Sequence, residues 1–277
     1  MGKRAQTNLA NLLTYIVLLA GAAVMVVPFL WMASTSFKLP ADQFTRTLFP
    51  PTFTLDNYKD LMSKLPFAHE LLNSLRIAFL STLGQLLTCS MAAFAFAVVK
   101  FRFREPLFIL LLITFIIPYQ VTLVPNFIIF KWIGLSNTEI PLWLPSFLGG
   151  AFGTFLLRQY FLTIPRELAE AARVDGASLI QIFWKIYLPL ARPALAALGV
   201  FTFMGSWNSL LQPLIYLPSD LQRTTITVGL SLFQSQYSGR WTIMMAGTVI
   251  SVLPMIVIFF IAQKQFIEGI ALTGVKR

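Results

Sequence analysis

The chain has 277 residues, 57% of them hydrophobic and 12% charged, with a mean hydropathy of +0.74. A folded surface in water needs about 25% charged residues, so this composition excludes an ordinary soluble domain. It predicts an all-α integral membrane protein, and the net charge of +10 becomes a statement about which side of the membrane the loops face, with no need for nucleic-acid binding.

A bilayer core of about 30 Å takes about 20 mostly apolar residues in a helix, and six runs meet that length. The first, about 12–34, follows Lys3 and Arg4; its apolar stretch exceeds that of a secretory signal, so it is expected to be a permanent span. An outer segment, 35–76, carries turn chemistry at Pro40, Pro50-Pro51 and Asp56-Asn57, then a mixed stretch through Tyr58, Leu61 and Phe67. The second span, about 77–99, holds the only cysteine, Cys89, read as a small buried hydrophobe. The Lys100-Phe-Arg-Phe-Arg104 turn that follows is the sharpest orientation signal. The third and fourth spans cover about 107–130 and 140–157, and in the fourth Gly149, Gly150 and Gly153 mark either a loose helix or close packing. The fifth and sixth cover about 194–217 and 241–262. With the N-terminus inside, 13 of the 21 Lys and Arg fall on the inner side, so both termini are predicted to be cytoplasmic.

Between the fourth and fifth spans, residues 163–193 are too polar to cross a membrane and too patterned to be a linker. Thr163 is suited to cap a helix, Pro165 suits its first turn, and Glu167 complements its positive end. Gly176 supplies the stop, Ser178 caps a second helix with an apolar stripe at Leu179, Ile182, Phe183 and Ile186, and Pro189 and Pro193 set it off from the fifth span. Two short amphipathic helices at an angle are shaped either to dock into a groove on another protein or to lie on the inner leaflet.

Glu170-Ala171-Ala172, then Gly176, then Ile186, Tyr187, Leu188 and Pro189 resemble, in identity and spacing, the EAA loop of ABC importer permeases. In that family the loop seats in a cleft of the ATPase subunit, so the resemblance implies a coupling role for Glu170, Ala171, Ala172, Gly176, Ile186, Leu188 and Pro189. Asn57-Tyr58, Asn73-Ser74, Trp207-Asn208, Pro213-Leu214 and the run from Gly269 to Lys276 are similar to the shorter permease subunit of maltose-type carbohydrate importers. The likeness runs from about residue 12 onward and implies a single type I importer transmembrane domain over 1–277. It implies that Gly274, Val275 and Lys276 contact the ATPase dimer. The implied partners are a second permease subunit in a heterodimer, two ATPase subunits that carry ATP and Mg, an external solute-binding protein, a sugar or glycoside, and lipid. The implied location is a bacterial or archaeal cytoplasmic membrane.

The residues agree with a chain that does no chemistry and binds no cofactor or metal of its own. Gly269, Gly274, Val275 and Lys276 miss the phosphate-binding loop by an inserted Val and a lost hydroxyl, so nucleotide is expected on another chain. His69 is the only histidine, which leaves a His-based triad or zinc motif nothing to build on. No carboxylate lies deep in a predicted span, which argues against ion coupling. Tyr119, Gln120, Asn126, Trp207, Asn208 and Gln212 are candidates for the substrate path, with Ser231 and Gln234 near the sixth span; amides and aromatic faces suit sugar rings, although polar residues in spans also serve as interhelical glue. Trp143 and Trp241 suit interfacial anchoring, and Pro118, Pro125, Pro213 and Pro254 are candidate hinges. Two competing functions are a secondary sugar carrier and an integral-membrane enzyme acting on lipid-linked substrates. Malto-oligosaccharides, trehalose, glycerol-linked glycosides and glycerol phosphates all suit the family.

Overall fold

The computed structural model describes residues 3–217, 220–237 and 239–274, and within them the chain forms helices and turns without strands. Fourteen α-helices follow in order: α1 Lys3–Ser36, α2 Asp56–Lys64, α3 Phe67–Val98, α4 Arg104–Ile116, α5 Tyr119–Trp132, α6 Ile140–Trp143, α7 Ala151–Phe161, α8 Arg166–Val174, α9 Leu179–Ile182, α10 Leu188–Leu190, α11 Arg192–Trp207, α12 Leu211–Tyr216, α13 Ile226–Gln236 and α14 Trp241–Gly274. Four stretches are long and apolar enough to cross a membrane, Asn11–Ser36, Phe67–Val98, Ile140–Phe161 and Trp241–Lys264, and two bent helix pairs bring the number to as many as six.

Contacts divide the chain into two compact units. In the unit of 1–67 and 230–253, α1 shows its apolar side chains outward, Val17, Val24 and Met25 each about 70% exposed, as suits contact with lipid. Beyond α1 the chain turns around Lys38, which is fully buried: its Nζ donates to the carbonyls of Thr45 and Thr47 at 3.0 and 2.8 Å and lies 4.5 Å from the Trp31 ring. The Asn57 amide donates to Ser36 O and Lys38 O, so the polar segment after α1 closes on its own side chains. Hydrogen bonds from Lys59 and Thr54 hold the exposed Asp56 carboxyl below its ordinary pKa.

In the unit of 68–229 and 254–277, α3 begins ahead of the predicted residue 77, because the polar residues of its first turns have partners. Asn73 donates to the carbonyls of Gln222 and Thr224, Ser74 Oγ accepts from Ile226 N at 2.8 Å, and Arg76 pairs with Glu139. Glu70 is fully buried, accepts from Thr224 Oγ1 at 3.5 Å, and lies where a side chain on Gly229 would fall. The core joins Cys89, Ala93 and Phe94 of α3, Leu157 and Phe161 of α7, Ile182 of α9 and Leu198 of α11. Gly153 is a point of close approach in this core: an added Cβ would meet Cys89 Sγ at 2.8 Å and Leu198 at 3.1 Å, so this glycine marks packing and not looseness.

Three predicted spans are interrupted. The third turns by 97° between α4 and α5 at Ile117-Pro118, where proline removes a backbone donor. The fourth changes at Gly149-Gly150, with Gly149 at φ +96°, between the 3-10 turn Leu144–Leu148 and α7. The fifth breaks between α11 and α12 across residues 208–210. Among the other candidate hinges, Pro125, Pro213 and Pro254 lie inside α5, α12 and α14.

Candidate functional site

Backbone that leaves the helix at membrane depth must be buried in protein or line a cavity. The three interruptions meet that requirement together, because residues flanking each of them line one cavity of about 780 Å³. Tyr119 comes from the first break, Ser146 and Phe152 flank the second, and Ser206, Ser209 and Leu210 come from the third. Ser81 and Gln85 of α3, with Asn126, Thr202 and Gln212, complete a polar lining that includes no Asp, Glu, Lys or Arg. Gln85 also backs Gly150, where a side chain would collide with its amide. Together with the rings of Phe130, Phe152, Phe201 and Tyr216, the hydroxyls and amides give the lining both donors and acceptors and flat apolar faces.

Three of the six sequence-predicted path residues, Tyr119, Asn126 and Gln212, share this cavity. Gln120 and Asn208 are exposed elsewhere. Trp207 is 3% exposed and stacked on Phe203 at 5.6 Å, and its carbonyl accepts from Thr227 Oγ1, so it serves the core. Ser231 and Gln234 lie exposed on α13. Ser81, Gln85, Ser146, Thr202, Ser206 and Ser209 were missed by sequence reasoning, since a single hydroxyl or amide in an apolar run carries no sign of the direction it faces.

The second candidate surface is the 163–193 segment. Here Thr163 caps the preceding helix and not the following one: its Oγ1 donates to Tyr160 O at 2.7 Å, and Pro165 occupies the cap position of α8 without a side-chain bond. Ala169 is buried in the core and Ala172 packs against it, whereas Glu170 and Ala171 are exposed. Gly176 takes φ +83°, and its neighbour closes the turn through Ala177 N to Ala172 O at 2.8 Å. Ser178 then caps α9 in a reciprocal box, accepting from Gln181 N while its own N–H donates to Gln181 Oε1 at 2.8 Å.

Pro189 offers no N–H to the turn before it, and that turn widens to the π-helix Phe183–Tyr187, which holds Ile186, with Leu188 and Pro189 in α10. The segment Leu179–Leu190 meets α11 at 78°. Tyr187 and Phe183 anchor it against Phe94, at ring distances of 5.1 and 5.3 Å. With that face buried, Val174 (88% exposed), Ile180 (71%) and Trp184 (50%) are left exposed, as is Glu170. Apolar side chains of that size on short, well-packed helices make a protruding surface suited to docking. Gly274 ends α14, and Val275 and Lys276 lie outside the described residues.

The sequence from residue 84 to 271 matches the model of the family described as binding-protein-dependent transport system inner membrane component. The chain belongs to this family. It is 33% identical over 262 residues to the lactose transport system permease protein LacG of Rhizobium radiobacter, covering 95% of each chain. It is 37% identical over 225 residues to the osmoprotective compounds uptake permease protein GgtD of Synechocystis sp., covering 81% of this chain and 76% of that one. To the arabinooligosaccharides transport system permease protein AraQ of Halalkalibacterium halodurans it is 34% identical over 260 residues, 92% of each chain. Its fold is similar to the crystal structure of a bacterial ABC transporter involved in the import of the acidic polysaccharide alginate. The TM-score is 0.82 at 23% identity, over 96% of this chain and 99% of the other.

As an inner membrane component of a binding-protein-dependent system, the chain is a transport permease and not an enzyme. The resemblance to importer permeases read from the sequence is therefore borne out. Among the described residues there is no cluster of three or more His, Cys, Asp or Glu suited to a metal ion.

Proposed function

We propose that this permease forms half of a heterodimeric pore that imports a neutral sugar or glycoside, driven by two ATPase subunits that bind ATP and Mg and fed by an external solute-binding protein. The observation that carries this reading is the cavity lined by hydroxyls, amides and rings, with no charged side chain, at the junction of three helix breaks. Neutral polyols are held by such donors and acceptors together with aromatic faces, whereas an anionic substrate calls for Arg or Lys. Ser81, Gln85, Tyr119, Asn126 and Gln212 are the residues assigned to the substrate path. In this reading the chain is a single transmembrane domain with six spans, both termini cytoplasmic, set in a bacterial or archaeal cytoplasmic membrane. The basic Lys100–Arg104 turn and the 163–193 segment then share the inner side.

Glu170, Ala171, Ala172 and Gly176 are assigned to the contact with an ATPase subunit, Ile186, Leu188 and Pro189 to its support, and Gly274, Val275 and Lys276 to a second contact. Closure of the ATPases pushes on this rigid lever, and the pore changes the side to which it opens. The test is transport by the complete importer in vesicles with Glu170→Lys and Gly176→Val. The first inverts an exposed charge, and the second places a β-branched residue at positive φ. Both variants are expected to assemble in the membrane and to lose at least tenfold in uptake and in binding-protein-stimulated ATP hydrolysis; wild-type rates would sink the coupling assignment. Uptake of a neutral glycoside but not of glycerol phosphate is the matching expectation for the cavity.

A further inference from the structure

A second cavity of about 610 Å³ lies beside the helix pair, between the Lys100–Arg104 turn, the end of α7 and helix α8. Its charged lining consists of four cations, Lys100, Arg104, Arg166 and Arg173, and two carboxylates, Glu105 and Glu170. Glu105 is already held by Arg104 and by Arg158, each at 3.0 Å. Among the described residues, Lys100, Arg166 and Arg173 form no ion pair, so the cavity keeps an excess of unmatched positive charge. Tyr187 lines the same cavity as both arginines. Helix α8 starts at the same cavity with no side-chain cap, so its positive end is turned to that space without a side chain closing it.

Three cations, a phenol and a bare helix start converge on one concave space, a set of donors matched to a phosphate group. The surroundings distinguish a lipid phosphate from a soluble one. Phe101 and Phe103, 39% and 59% exposed, and Leu162, 43% exposed, line the same cavity. The turn that carries the two phenylalanines joins the apolar helices α3 and α4, so the cavity brings exposed apolar side chains together with basic ones, the combination that acyl chains and an anionic headgroup require.

We propose that this cavity holds the phosphodiester headgroup of an anionic phospholipid, wedged between the basic turn and the helix that couples the pore to its motor. Placing that lipid in the inner leaflet rests on the orientation proposed above; its binding does not. A bound headgroup ties α8 to the α3–α4 turn, so lipid composition sets the stiffness of the lever.

The experiment uses the complete importer, equilibrated in vesicles containing equal amounts of phosphatidylglycerol and phosphatidylcholine, extracted, and weighed by native mass spectrometry for retained lipid. Wild type is expected to retain phosphatidylglycerol in preference. The triple variant Lys100→Gln, Arg166→Gln, Arg173→Gln is expected to lose that preference, by about fivefold for each charge removed. A triple variant of equal charge change elsewhere, Arg46→Gln, Lys59→Gln, Arg240→Gln, is expected to keep it. Lys100→Gln alone, on the turn and off α8, is read in parallel, so that loss of motor docking by the α8 substitutions leaves the question answerable. Equal retention in wild type and both Lys100 variants, or equal loss in the two triples, overturns the proposal. Displacement of the lipid by millimolar inorganic phosphate also overturns it, in favour of a soluble phosphate. Retention counts do not depend on which side the cavity faces, so a wrong orientation, detected by labelling of single cysteines from each side, would leave the lipid result standing.

Discussion

The lined cavity and the 163–193 helix pair lie in the same compact unit and are built by opposite means. The pair closes itself with local bonds: Gly176 turns the chain, Ser178 and Gln181 cap each other, and the π-turn before Pro189 seats Phe183 and Tyr187 on the core. The cavity draws its wall from residues between Ser81 and Tyr216, from three places where helices break and from the helix faces beside them. If the pair is the lever proposed above, it must keep its shape while it moves, which local bonds secure. If the lining opens to each side in turn, as proposed, it is served by segments held by packing and by single side-chain bonds such as Ser81 to Leu142 O and Thr88 to Ser146 O, which discrete rearrangements can exchange.

Two glycines put this contrast to its most severe test. Gly153 is held by what surrounds it, because an added Cβ meets Cys89 and Leu198 in the core. Gly176 is held by its own backbone, at φ +83° with no atom within 4 Å of an added Cβ. Gly153→Leu is therefore expected to destabilise by about 3 kcal/mol or more, since overpacking a filled core forces neighbours out of their rotamers. Gly176→Ala is expected to cost about 1–2 kcal/mol, the strain of a left-handed residue. Thermal unfolding of the purified importer in detergent measures both. Equal losses would mean that the two regions are not held by different means.

The same difference decides what could be read from the chain. The pair was legible almost to the residue because its signals are local: Gly176 as a stop, Ser178 as a cap, Pro189 as a break. Thr163 was misread because a hydroxyl at a junction serves either helix, and here it closes α7. The apolar runs marked helices of which four, or as many as six, are long and apolar enough to cross a membrane, but the start of α3 came early because Asn73, Ser74 and Arg76 find partners that hydropathy cannot see. Helix α13, at 11 residues, is too short to register as a span. Of the breaks, Pro118 and the Gly149-Gly150 pair left marks, whereas residues 208–210 contain neither Pro nor Gly and the fifth run read as continuous. Tyr119, Asn126 and Gln212 stood out as large polar groups among apolar ones; Trp207 stood out equally and proved to be packing.

The next largest effect is expected on the exposed face of the pair. Trp184 is half exposed although its neighbour Phe183 is buried, and the two rings meet edge to face at 5.3 Å. Phe183 thus fixes the direction in which Trp184 projects. If the projecting face is where the motor docks, Trp184→Ala removes an aromatic anchor of the kind that dominates interfaces, worth about 2 kcal/mol, or about thirtyfold in affinity. Titration of the ATPase subunit onto the permease pair in nanodiscs reads this directly. The unfolding temperature is expected to stay at the wild-type value, because the indole contributes little to the core; an unchanged affinity would move the docking face elsewhere.

The smallest effect tests whether the lever owes its rigidity to local bonds. Ser178→Ala removes the hydroxyl that accepts from Gln181 N and leaves the Gln181 side chain bonded to the backbone of residue 178. Loss of such a cap costs about 1 kcal/mol, confined to the start of a short helix. The anchoring rings of Phe183 and Tyr187 lie beyond it, so the core and the cavity are expected to keep their stability and the substrate affinity to stay unchanged. The expected signature is faster amide exchange over 177–182 and a drop of about fivefold or less in coupling, read as uptake per ATP hydrolysed, which corresponds to about 1 kcal/mol if the frayed start makes the lever less rigid. If exchange rises while coupling holds, the rigidity resides in the packing of Phe183 and Tyr187 and not in the cap, and the helix pair would then be maintained as the cavity wall is.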